Sequence, residues 1–123
     1  MTLVTPFNAE GFKLRASAAE QTLSLVLEGS GDMAAVPPLK EALSQVRRAM
    51  RTEGYANVAI DLRGLYLLNS SCIKALVHFV YQLQTEGPSF PIVFVVDHNL
   101  SWQPRALAAL GRMAPELVTV KSG

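Results

Sequence analysis

Asp61-Leu62-Arg63-Gly64, followed by Leu67-Leu68-Asn69-Ser70-Ser71-Cys72-Ile73, marks the passage from a strand into a helix. Upstream, Val58 to Leu62 is a short apolar run closed by Gly64, which predicts a strand. Downstream, Ser70 to Thr85 repeats its apolar residues at helical spacing. Ile73, Leu76, Val77, Val80 and Leu83 fall on one side, with Lys74, His78 and Gln82 opposite. Gly87-Pro88 is the expected stop. Asn69 is a strong N-cap type, because its side-chain oxygen accepts one of the N–H groups that a first helical turn leaves unpaired. Ser70 and Ser71 then fall in that turn. Plain capping accounts for such residues. A hydroxyl there is also a suitable phosphate acceptor, since the helix dipole and free N–H groups favour an anion at that end.

Working outward, two stretches alternate with a period of two. Phe12, Leu14 and Ala16 interleave with Lys13, Arg15 and Ser17; Leu23, Leu25 and Leu27 interleave with Ser24, Val26 and Glu28. Both predict half-buried strands, joined as a hairpin by Ala18 to Gln21. Gly29-Ser30-Gly31-Asp32 is expected to break the second strand. A helix from about Pro37 to Thr52 presents Leu39, Ala42, Leu43, Val46 and Met50 on one face and ends at Gly54. Arg47, Arg48 and Arg51 read as a solvated face near the helix C-terminus. Ile92 to Val96 is continuously apolar and predicts a central strand covered on both faces. Pro104 to Met113 predicts a third helix with Leu107 and Leu110 inward, and Leu117 to Lys121 a short last strand. The fold expected is α/β: a mixed sheet of four to five strands with an N-terminal hairpin and three main helices, as a single domain over residues 1–123.

Composition narrows the function classes. Half the residues are hydrophobic, enough for a packed core and too many for a disordered chain. No apolar run approaches the roughly 20 residues of a membrane-spanning helix, and Met1 to Gly11 lacks the pattern of a signal peptide. A soluble cytoplasmic protein is expected. The net charge of +1 does not suggest nucleic acid or an acidic membrane as partner. One cysteine, Cys72, allows no internal disulfide and no thiolate metal site, and His78 and His98 stand far apart. No cofactor, metal or catalytic residue is expected.

Three other features invite a chemical reading. Gly29-Ser30-Gly31-Asp32-Met33-Ala34 fits a dinucleotide-binding pattern, but the strand before it is half of a hairpin rather than the start of a βαβ unit. A Gly-rich turn is the better description. Cys72, in a first turn, is either a low-pKa redox thiol or a small buried hydrophobe. Asp97-His98 is a loop pair with no nucleophile nearby. Trp102 is a packing anchor at a helix start or, if exposed, a partner contact.

Asp61 to Leu76 resembles the signature of STAS domains, in which a strand ending in Asp-Leu leads through a loop to Asp-Ser-Ser/Thr-Gly-Leu at a helix start. Glu28-Gly29-Ser30-Gly31-Asp32 is similar to the Gly-x-x-Asp turn after that family's second strand. Leu68 to Cys72 and Trp102-Gln103 resemble short stand-alone bacterial STAS-like regulators with Leu-Asn-Ser-Ser-Gly and a later Trp-Gln. The resemblance implies an anti-sigma factor antagonist, a non-enzymatic partner-switching module. A serine kinase, itself the anti-sigma factor, would phosphorylate Ser70 (ahead of Ser71), and a PP2C-type phosphatase would reverse it. Asn69, Ser70, Ser71, Cys72 and Lys74 would form the partner surface of a monomer or weak dimer. Asn69 stands where most antagonists have Asp, and Cys72 where nearly all have Gly. The alternative is a ligand-, nucleotide- or redox-sensing STAS-like domain without phosphoswitching.

Overall fold

A computed structural model describes residues 4–9, 11–85 and 91–122. Alternating strands and amphipathic helices resolve into β1 (Phe7–Ala9), β2 (Phe12–Ala19), β3 (Thr22–Gly31), a 3-10 turn (Met33–Ala35), α1 (Val36–Glu53), β4 (Asn57–Leu68), α2 (Ser70–Thr85), β5 (Ile92–Val96), α3 (Trp102–Met113) and β6 (Val118–Ser122). The strands form one mixed sheet whose spatial order is the order of the chain, β1-β2-β3-β4-β5-β6. β1, β2 and β3 are antiparallel neighbours, and β3 to β6 run parallel.

Register aligns the apolar positions across the sheet. Leu25 pairs with Ile60, and Ile60 with Phe94; Leu23 pairs with Val58, and Val58 with Ile92, which pairs with Val118. This row structure buries the central strands on one face, although Val120, opposite Phe94, is exposed. Leu39, Val46 and Met50 of α1, Leu76, Phe79 and Val80 of α2, and Leu107 and Leu110 of α3 join it in a single core. Burial of each such side chain is worth about 1.5 to 3 kcal/mol, so this layer dominates stability. Gly54 closes α1 in the left-handed conformation, φ 76°.

The structure departs from the sequence reading in several places, and Gly29-Ser30-Gly31, expected to break β3, instead forms its last three residues because β4 pairs with it as far as Leu68. The sheet has six strands rather than four to five. β1 is too short to show a period; it is held by pairing to β2 and by Phe7 against Phe12, ring centroids 6.0 Å apart. The hairpin turn is Glu20-Gln21 alone, both with positive φ, a conformation usually given to Asn or Gly. β5 is interior, but only Ile92, Phe94 and Val96 are buried while Val93 and Val95 are half-buried. Its second face meets no helix layer, because all three helices bury their apolar sides in the one core. Finally, α2 is rotated from the expected stripe. Cys72, Ala75 and Phe79 are buried, and Ile73 and Val77 only partly. α2 lies against both α1 and α3, so its inward arc is wider than one stripe. The expected stop at Gly87-Pro88 lies outside the described residues; α2 ends at Thr85.

Candidate functional site

β3 and β4 run together to their C-terminal ends, and the start of α2 is built on that pair. Gly64 does not close β4, which continues to Leu68 beside β3 through two register shifts. Gly31 pairs with Leu68, and the Asn69 N–H donates to the Gly31 carbonyl at 2.8 Å. A Cβ on Gly31 would lie 2.5 Å from Leu68 Cδ1. The Leu68 side chain would have to give way to any such Cβ, and Gly29, Ser30 and Gly31 belong to strand β3 rather than to a phosphate-binding turn. Asp32 then caps the 3-10 turn by accepting the Ala34 N–H at 3.0 Å.

Asn69 is the N-cap expected of it: its Oδ1 accepts the Cys72 N–H at 2.9 Å, and its carbonyl accepts the Ile73 N–H at 3.0 Å. Ser70 and Lys74 are exposed, Asn69 and Ser71 half-buried. Cys72 is wholly buried, and its thiol donates to the Asp32 carbonyl at 3.6 Å. Expected at the partner surface, Cys72 instead supports that surface from beneath, because the third position of α2 faces inward. Burial, with the Asp32 charge adding to it, pushes its thiol pKa up. That opposes the low-pKa thiolate a redox sensor needs. A thiol that keeps its proton longer in the native state leaves stability unchanged at neutral pH. Stability then falls as pH climbs past the unfolded thiol value of about 8.5. Native protein should therefore label slowly with a thiol reagent at neutral pH, at a rate that follows unfolding in urea. A fast stoichiometric burst would restore the redox reading.

The loop side of the site is anchored from α3. Trp102 is half-buried, and its indole N–H donates to the Leu65 carbonyl at 3.2 Å. Gln103, fully buried, does more: its amide donates to the carbonyls of Leu62 (2.6 Å) and Leu65 (3.0 Å), and its Oε1 accepts the Asp97 N–H at 2.9 Å. One side chain thereby ties the bent half of β4 to the end of β5. Composition did not mark it; the only signal was its place beside Trp102 at a helix start. Asp61, at the head of the signature, is committed to Arg63. Its carboxylate accepts the Arg63 backbone and Nε N–H groups, both at 3.0 Å, and pairs with Nη2 at 2.7 Å. These bonds hold its pKa below the usual carboxylate range. Asp97 closes a turn by accepting the Asn99 N–H at 2.9 Å.

Around Ser70 the surface is unusually apolar. Of the large hydrophobic side chains exposed among the described residues, Tyr66 (68%) and Leu67 (52%) lie on the strand end leading into Ser70. Met33 (65%) lies on the turn that begins beside it. Among the described residues no cluster of His, Cys, Asp or Glu is arranged to hold a metal, and no helix is long and apolar enough to cross a membrane.

The chain superposes on a crystal structure of an anti-sigma factor antagonist from Mycobacterium paratuberculosis with a TM-score of 0.68, over 94% of this chain and 90% of that one. The chain has a STAS fold. At 18% identity the likeness carries the architecture and not the roles of residues. No protein-family model and no curated protein matches the sequence. Within the STAS fold, the strand-to-helix passage Asp61–Ile73 therefore rests on its own geometry: a capped helix start, an exposed serine and an apolar rim.

Proposed function

We propose that this protein is a partner-switching regulator of the anti-sigma factor antagonist type, a cytoplasmic binding module rather than an enzyme, in which phosphorylation of Ser70 controls binding. The observation that carries this reading is the exposed Ser70 at the first position of α2, with exposed Leu67 three residues before it in the chain and exposed Met33 on the turn packed against α2. Exposed apolar side chains next to such a residue are what a protein partner can bury in an interface. A phosphate there adds a charge of about −1.5 to −2. The helix N-terminus tolerates that charge in the free protein, but an interface that must desolvate it does not. The partner fitting this switch is a serine kinase that doubles as an anti-sigma factor, with a PP2C-type phosphatase restoring the hydroxyl. Ser71, half-buried, is the second candidate acceptor. The burial of Cys72 removes the main support for a redox-sensing alternative.

Ser70→Ala should fold normally and bind the partner constitutively. Ser70→Asp should also fold, and should lose affinity by about tenfold or more. Calorimetry on wild type and both variants, with mass spectrometry of protein from its native host, provides the test. Equal affinities, with no phosphate on Ser70 or Ser71, would leave the fold without the switch.

A further inference from the structure

A groove of about 720 Å³ runs between α1 and α2. Its floor is apolar, formed by Leu43, Ala75 and Phe79 with half-buried Val36 beside them. Lys40 and Arg47 stand on the α1 bank, Lys74 and His78 on the α2 bank, and among the described residues no acidic side chain lines it. In a chain whose net charge is only +1, this is a local concentration of cations. Among the described residues neither Lys40 nor Lys74 has an ion-pair partner. At one end the groove opens between Met33 and Ser71, next to the Ser70 surface.

We propose that this groove docks an acidic amphipathic helix of a partner protein. The arrangement of the cations selects that occupant. Lys40 and Arg47 are two turns apart on α1, about 10 Å along its axis, and Lys74 faces them from α2. A fatty-acid-like ligand has one anionic head and would call for cations converging at one end. Cations spread along both banks instead match carboxylates spaced along a helix whose apolar face lies on the floor. A nucleic acid strand would call for several exposed aromatic faces for stacking, and the one Phe, Tyr or Trp ring among the described lining residues, Phe79, is buried at 1% exposure. The docking does not require Ser70 to be phosphorylated, so it goes beyond the switch and can hold or fail independently of it.

The test uses the whole protein and a synthetic helical peptide with one leucine face and one glutamate face. Backbone amide shifts are followed by NMR, and affinity by fluorescence anisotropy. Saturable shifts are expected along both α1 and α2, with affinity weakened by added salt. Lys40→Glu with Lys74→Glu should reduce affinity by about tenfold or more, while Ser70→Ala leaves it unchanged. If the double charge reversal fails to fold, Lys40→Gln with Lys74→Gln replaces it, and a smaller loss in the same direction is expected. Any one of three results overturns the proposal: no saturable shift in the groove at millimolar peptide, unchanged affinity in the double variant, or full displacement of the peptide by an equal concentration of dodecanoate.

Discussion

Gln103→Met should destabilise the protein by about 2 to 5 kcal/mol, although it replaces a polar side chain with an apolar one of similar length. The reason lies in what is left behind. Gln103 satisfies the Leu62 carbonyl and the Asp97 N–H, and shares the Leu65 carbonyl with Trp102. Each buried backbone group stripped of its partner costs about 1 to 3 kcal/mol. Methionine fills the space but pairs with none of them. Trp102→Phe removes one donor from a carbonyl that keeps another, so its hydrogen-bond cost should stay near 1 kcal/mol. Urea titration checks both: the midpoint of Gln103→Met should fall well below that of Trp102→Phe, at similar slope. A loss under about 1 kcal/mol for Gln103→Met would mean that water replaces the amide. Because these bonds hold β4 where it bends toward Ser70, partner binding should weaken with the same substitution.

The second large effect is expected at Gly29. Its φ of 99° lies where side chains are strongly disfavoured, and a Cβ there would collide with the Gly11 carbonyl oxygen. The opposing group is backbone, held by the Gly11 carbonyl accepting the Ser30 N–H at 2.6 Å, so it has little room to yield. Gly29→Ala should cost more than about 3 kcal/mol, a large share of the roughly 5 to 15 kcal/mol that keeps a domain folded. Gly111 is the control. It lies within α3 with open space where its Cβ would be, so Gly111→Ala should be neutral or stabilise by up to about 1 kcal/mol. Thermal melts followed by circular dichroism separate the two, and comparable melting of both variants would refute the clash.

Periodicity was enough for the hairpin, the three helices and the cap at Asn69, because each depends on residues close together in the chain. What it missed depends on neighbours distant in sequence. Gly64 looks like a strand terminator in isolation, yet β4 continues because β3 continues beside it. β1 exists only as a partner to β2. Gln103 entered the sequence reading only as half of the Trp102-Gln103 resemblance; its role follows from three backbone partners in β4 and just after β5. The site divides in the same way. Ser70 and Asn69 were legible from local helix chemistry, whereas the burial of Cys72 follows from the angle at which α2 meets the sheet and α1.

Because the strands are stacked in chain order, β1 and β6 form the two outer borders of the sheet. Neighbouring strands are about 4.8 Å apart, so the first and last strands are separated by roughly 24 Å, with β4, which leads into α2 and Ser70, between them. The chain enters β1 from the helix side, where the Thr5 N–H donates to Gln45 Oε1 of α1 at 2.8 Å and Val4 is buried in the core, whereas β6 ends at the far border. A segment attached beyond Ser122 would therefore extend from the β6 border, two strands away from β4, whose end leads into Ser70.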